Sequence, residues 1–88
     1  VERNAIMVNP RDNVAVVIAE VKAGGKITGL AGQDLTARAD IPRNHKVAVV
    51  KIPRDAPVIK YGEAIGRAAV EIEAGEWVHT HNLKAEQG

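Results

Sequence analysis

Apolar and polar positions along this chain fall into short runs rather than long stripes. Six β-like runs stand out: AIMV (5–8), NVAVVIAEV (13–21), KITGL (26–30), DLTARAD (34–40), HKVAVVKI (45–52) and EWVHTHNL (76–83). LTARAD alternates strictly. Leu35, Ala37 and Ala39 face one way and Thr36, Arg38 and Asp40 the other, which is the two-residue period of a half-exposed strand. VAVVIA and VAVVKI are nearly continuous, as expected of strands covered on both faces. The stretch GEAIGRAAVEIEAG is ambiguous. Ala64, Ala68 and Ile72 keep helical spacing, as do Ile65 and Ala69, so residues 63–70 read as a strand or as one or two short helical turns.

One pattern recurs four times, as VKAGGKI (21–27), IPRNHKV (41–47), IPRDAPV (52–58) and IEAGEWV (72–78). Each copy has an apolar residue, a turn former three places on, and a second apolar residue three further. The turn positions are Gly24, Asn44, Asp55 and Gly75, residue types that readily take a left-handed backbone. Pro42 and Pro53 follow the first apolar residue, where a fixed φ suits the entry to a turn. The pattern fits either the turn chemistry common to small β proteins or an internal duplication. In both cases it fixes where the chain doubles back.

Composition narrows the class. The 88 residues make one domain, with no linker inside it, and the apolar 45% is mostly Val, Ile and Ala with no Phe. β-branched side chains suit pleated surfaces, and the 8 Gly and 4 Pro suit tight turns. Cysteine is absent, which removes disulfides and thiolate metal sites and suits a cytoplasmic protein. The net charge of +1 is evenly mixed and aromatics are only 2%, so neither a basic stripe nor a stacking platform for nucleic acid is present. No apolar run approaches the ~18–20 residues of a membrane span, and VERNAIMV has no signal-peptide character. A soluble, mainly β domain is expected.

Three clusters can do chemistry. In an extended WVHTHNL, His79 and His81 project to one face with Trp77 and Leu83. Two imidazoles there suit half of a metal site, a substrate contact or acid–base work, or simply the polar end of a strand. His45, beside Lys46, opens a strand just after a turn, where an imidazole is placed for proton transfer near neutral pH or is an ordinary strand start. Lys60, Tyr61 and Gly62 follow in a row. Lys60 by charge and Tyr61 by its hydroxyl can hold a carboxylate, while the bland alternative makes Tyr61 a packed hairpin residue. There is no phosphate-binding loop, serine-nucleophile motif or paired-carboxylate signature.

Three motifs taken in order carry more: IPRNHKVAVVKI, VIKYGEAIGRA and IEAGEWVHTHN. Together with DNVAVVIAEVKAG upstream they resemble the small SAF-type (antifreeze-like, β-clip) domain of the altronate/galactarate dehydratases, over residues 12–83. The chain also looks like the small subunit of sulfolactate sulfo-lyase. Asn44 departs from the pattern, standing where the family usually has Gly. The resemblance implies a β-clip fold of short strands with one or two helical turns. It also implies a metal-dependent lyase that acts on a hydroxy acid with a larger catalytic subunit or domain. On this reading His79 and His81 contact a divalent metal, iron or manganese, while His45, Lys60 and Tyr61 act in catalysis. The alternatives are a module that binds a carboxylated sugar acid without catalysis, a purely structural or oligomerising role, and a sulfo-lyase small subunit.

Overall fold

A computed structural model of the chain describes residues 3–30 and 33–85. Nine short strands make up the regular structure: β1 (Ala5–Ile6), β2 (Val14–Val17), β3 (Lys26–Ile27), β4 (Leu35–Thr36), β5 (Lys46–Ala48), β6 (Pro57–Lys60), β7 (Glu63–Ala68), β8 (Trp77–Val78) and β9 (Leu83–Ala85). All pairings are antiparallel. They form a four-stranded sheet in the order β1-β2-β5-β8, a β3-β4 ribbon and a three-stranded sheet in the order β6-β7-β9.

The described residues contain no helix, which corrects the expectation of one or two helical turns. Residues 63–68 are strand β7, paired on both sides. Gly66 shows why the strand wins: it is buried where β9 crosses, and a Cβ there would collide with the Lys84 carbonyl. A glycine also weakens a helix interior by about 1 kcal/mol relative to Ala. Sequence patterning left β9 unassigned, because EWVHTHNL reads as one strand when in fact it turns at 79–82.

The four recurring segments adopt one geometry. Gly24, Asn44, Asp55 and Gly75 all have positive φ, between 68° and 92°. In each copy the next residue donates its N–H back to the carbonyl three residues earlier: Gly25 to Lys22, His45 to Pro42, Ala56 to Pro53 and Glu76 to Glu73. Asn44 takes the left-handed conformation without difficulty, as a short amide side chain allows.

A longer repeat lies behind the turns. Val17, Val21, Asn44 and Val47 recur 31 residues later as Ala48, Ile52, Gly75 and Val78. The hydrogen bonds recur with them: Asn44 N–H to Val17 and Gly75 N–H to Ala48, then Gly24 N–H to Ala37 and Asp55 N–H to Ala68. Strand register follows the same offset, Lys26 opposite Thr36 and Pro57 opposite Arg67. The backbone of the described residues of 17–47 is therefore repeated by 48–78.

Each half builds its own core. Val17, Val21, Ile27, Ala37, Ile41 and Val47 belong to one apolar cluster. Their counterparts Ala48, Ile52, Val58, Ala68, Ile72 and Val78 belong to the other. The four-stranded sheet lies between the clusters, with Ala15 and Val47 on one face and Val14 and Ala48 on the other. That is why VAVVIA and VAVVKI read as continuous apolar runs. Burying one of these isoleucines or valines stabilises the fold by about 1.5–3 kcal/mol, so a chain without Phe still closes two cores.

Candidate functional site: an imidazole cluster around Trp77

The last turn of each half ends side by side, because β5 pairs with β8: Lys46 opposite Val78 and Val47 opposite Trp77. His45 leads into β5 and His79 leaves β8, so this register brings them together. Their rings lie 4.7 Å apart between centroids, tilted by 51°. The Trp77 indole is the hub. It stacks on His79 at 5.4 Å and 7°, and meets His81 at 5.2 Å and His45 at 5.6 Å. Its Nε1–H donates to His45 Nδ1 at 3.1 Å. Because the indole can only donate, His45 Nδ1 is the acceptor, and the proton of the neutral ring sits on Nε2.

A compact turn, rather than a strand, carries His79 and His81. This corrects the expectation of an extended 76–83, although both rings still reach Trp77. Asn82 closes the turn from a buried position, 3% exposed. Its Oδ1 accepts the His79 N–H at 2.9 Å, and its Nδ2 donates to the Trp77 carbonyl at 2.9 Å. The Asn82 and Leu83 N–H groups both donate to the His79 carbonyl. His79 thus sits on a backbone fixed from three directions.

Lys60 and Tyr61 belong to the other sheet and its hairpin turn, and among the described residues no hydrogen bond or ring contact joins either to the imidazoles. Tyr61 and Gly62 form the two-residue link between β6 and β7, with φ of 56° and 79°, as a primed hairpin turn requires. Gly62 is needed for space too, since a Cβ would press on the Asn9 amide. Buried Asp12 pins this turn: its Oδ1 accepts the Gly62 N–H at 2.7 Å and its Oδ2 the Asn9 N–H at 3.2 Å. Asn13 fixes β6 next door, accepting from Ile59 N–H and donating to the Pro57 carbonyl. Tyr61 is 52% exposed, so it is not the packed core residue that one reading allowed, and Lys60 Nζ lies 5.0 Å from its ring.

The Lys60 charge is felt at Lys46 in β5. Partial burial, and then the Lys60 charge, hold Lys46 below the ordinary lysine value of 10.5. Half-burial against the indole, followed by His45, Lys46 and His81, holds His79 below the ordinary imidazole value of 6.5. His79 is therefore neutral at pH 7, with a lone pair available to a proton or a cation. Among the described residues neither Lys46 nor Lys60 has a carboxylate partner.

The donor set suits a metal only in part. The rings of His79 and His81 make no hydrogen bond among the described residues, which leaves their nitrogens open to a ligand or cation. Among the described residues, however, no three His, Asp or Glu side chains gather as a ligand set. In the sequence Trp77 and Lys46 figure only as neighbours of the histidines, and Asn82 and Asp12 have no role there. Their signals were faint: a turn-forming NPRD run for Asp12 and the Asn ending HTHN for Asn82.

Comparison with known proteins gives the family. The altronate dehydratase of Escherichia coli K12 is 42% identical over 79 residues, covering 90% of this chain but 16% of that protein. The galactarate dehydratase (L-threo-forming) of the same organism is 39% identical over 75 residues, 83% of this chain and 14% of its own length. This chain thus spans about a sixth of the length of the dehydratases that it matches. The (2R)-sulfolactate sulfo-lyase subunit alpha of Chromohalobacter salexigens is instead matched almost end to end, 42% identical over 86% of this chain and 87% of that subunit. The family model for the altronate/galactarate dehydratase SAF domain matches residues 3–86, and the chain belongs to that family.

Proposed function

We propose that this chain is the small component, as subunit or domain, of a metal-dependent carbon–oxygen lyase acting on a hydroxy acid. It completes the active site of a larger catalytic chain. The observation that carries this reading is an unfinished cluster: three imidazoles converge on Trp77 at the β5–β8 end, yet the described residues do not close a ligand set. Such a reaction removes the proton α to a carboxylate. The C–H electron pair becomes the new π bond, and the β-hydroxyl leaves with a proton as water.

Each side chain has a part suited to its setting. Lys60 by charge and Tyr61 by hydrogen bond hold the substrate carboxylate. His45, with Nδ1 engaged by Trp77, handles a proton at Nε2. His79 and His81 offer free imidazole nitrogens to iron or manganese, with the remaining ligands coming from the larger chain. A divalent cation, when bound, draws negative charge from the carboxylate as the α-proton leaves. Among the described residues no helix is long and apolar enough to cross a membrane. With no cysteine in the chain, the cytoplasm is the expected place of work.

The test pairs this chain with its larger partner on a panel of sugar acids, with and without chelator. His79→Ala and His81→Ala are expected to reduce turnover by roughly 100-fold or more while the pair still assembles, as loss of a metal ligand or acid–base group does. Full activity of both variants would remove the two histidines from the site. One observation favours a second reading, in which the leaving group is sulfite: the end-to-end match to a sulfo-lyase subunit. Turnover of sulfolactate but of no sugar acid would select it.

A further inference from the structure

The two ring nitrogens of His45 stand in different settings. Nδ1 accepts the Trp77 indole N–H at 3.1 Å. Nε2 makes no hydrogen bond among the described residues, yet it is not a buried atom left without a partner, so it stays accessible. The indole is a fixed donor. It packs against the core cluster of the first half, and its ring lies parallel to His79 within 7°. Which nitrogen of a neutral imidazole carries the proton is set by the bond that the other nitrogen makes. An indole N–H never accepts, so Nδ1 keeps its lone pair and Nε2 its proton.

We infer that Trp77 is a positioning residue that keeps His45 a hydrogen-bond donor and withholds it from proton abstraction. The inference rests on the proposed function and says what His45 does with the proton at Nε2. A general base needs a free lone pair. The one in-plane lone pair of a neutral His45 is occupied by the indole. A proton placed on Nδ1 would set two N–H groups against each other and break that bond. What His45 offers the substrate is therefore its Nε2–H, presented to an oxygen that gains negative charge as the α-proton leaves. A neutral imidazole polarises a carbonyl oxygen in this way without releasing its proton. The Nε2 proton stays on His45 throughout, and the α-proton goes to a base on the larger chain. His79 and His81 pack on the same indole with nitrogens free of hydrogen bonds among the described residues. Trp77 thus divides the three rings into one donor and two with open lone pairs.

NMR of the isotope-labelled 88-residue chain tests the lock without any turnover. A nitrogen–nitrogen coupling across the hydrogen bond from Trp77 Nε1 to His45 Nδ1 is expected, with the His45 proton on Nε2. A wild-type His45 protonated on Nδ1, or one with no coupling to the indole, would overturn the inference and leave the proposed function standing. Turnover of hydroxy acids by the pair assembled with the larger chain then tests the role. His45→Gln supplies an amide N–H but no basic nitrogen. It is expected to keep turnover within about tenfold of wild type, while His45→Ala lowers kcat by roughly 100-fold or more. Equal losses in the two variants would make His45 a group that moves its proton, against the inference. Trp77→Phe keeps a ring beside His79 but removes the donor, and is expected to lower kcat by about tenfold with KM nearly unchanged. Full kcat in that variant would overturn the positioning role. If no assembled pair turns over any hydroxy acid, the proposed function fails and the donor role fails with it.

Discussion

The two halves, 17–47 and 48–78, share a backbone and differ in what they do with it. Both close a core around six equivalent apolar positions. Both share two equivalent positive-φ turns, at Gly24 and Asn44 in the first and at Asp55 and Gly75 in the second. The first turn of each half, at Gly24 and Asp55, carries no imidazole and leads into a separate sheet. The second turns, at Asn44 and Gly75, end in β5 and β8 and lie side by side. Equivalent positions there hold Lys46 in one half and Trp77 in the other, with His45 matched by Glu76. Likewise Lys60 and Tyr61 in the second half stand where the first has Gly29 and Leu30. A repeated scaffold that supplies stability twice thus leaves one pair of adjoining turns free to specialise.

That equivalence can be broken most sharply at the turns themselves. Gly75→Ala places a Cβ against the Thr36 carbonyl at a φ of +92° and is expected to cost about 2–4 kcal/mol in denaturant unfolding. Asn44→Gly, at the matching position, is expected to change stability by about 0.5 kcal/mol or less. A cost for Gly75→Ala as small as that of Asn44→Gly would remove the steric constraint that the Thr36 carbonyl places on Gly75.

Next in size is the device that only the second half possesses. Asn82→Ala removes two hydrogen bonds from a buried amide and is expected to cost about 1–3 kcal/mol. It also frees His79, so the indole–imidazole stacking should loosen. Nuclear Overhauser contacts between Trp77 and His79 would report this, and their survival unchanged would mean that Asn82 stabilises without positioning.

The smallest effect sharpens the comparison electrostatically. His79 in the folded chain titrates below 6.5, the value it regains on unfolding. The unfolded chain therefore binds more protons as the pH drops, and stability falls from pH 6.5 down through the folded value, with no penalty above 6.5. Lys46→Met should raise the His79 value only partway, since half-burial is the larger cause and the lysine charge a lesser one. Histidine NMR titration measures both. A His79 that titrates at 6.5 would remove the electrostatic coupling between β5 and the HTHN turn.

Much of this was legible in the residues. Alternation in LTARAD placed Leu35 and Ala37 inward, as they are. The four turn formers were found by residue type alone, since only Gly, Asn and Asp commonly accept a left-handed backbone. Motif order pointed to the family, which the family model bears out. Where Gly and alternation gave conflicting signals, in 63–70, local spacing could not choose. The choice depended on β6 and β9 arriving to pair with that segment.

What the sequence by itself determined is the set of short strands, the turns that separate them and the residue types available for chemistry. These follow from side-chain branching, backbone sterics and the two-residue period, all local properties. Only the tertiary structure decided that Trp77 is the hub, that Asn82 bends HTHN into a turn, and that the Lys60 charge reaches Lys46. Those relations join residues as much as 32 positions apart, such as His45 and Trp77, and no local rule specifies them. They exist because antiparallel register sets the last turn of one half against the last turn of the other.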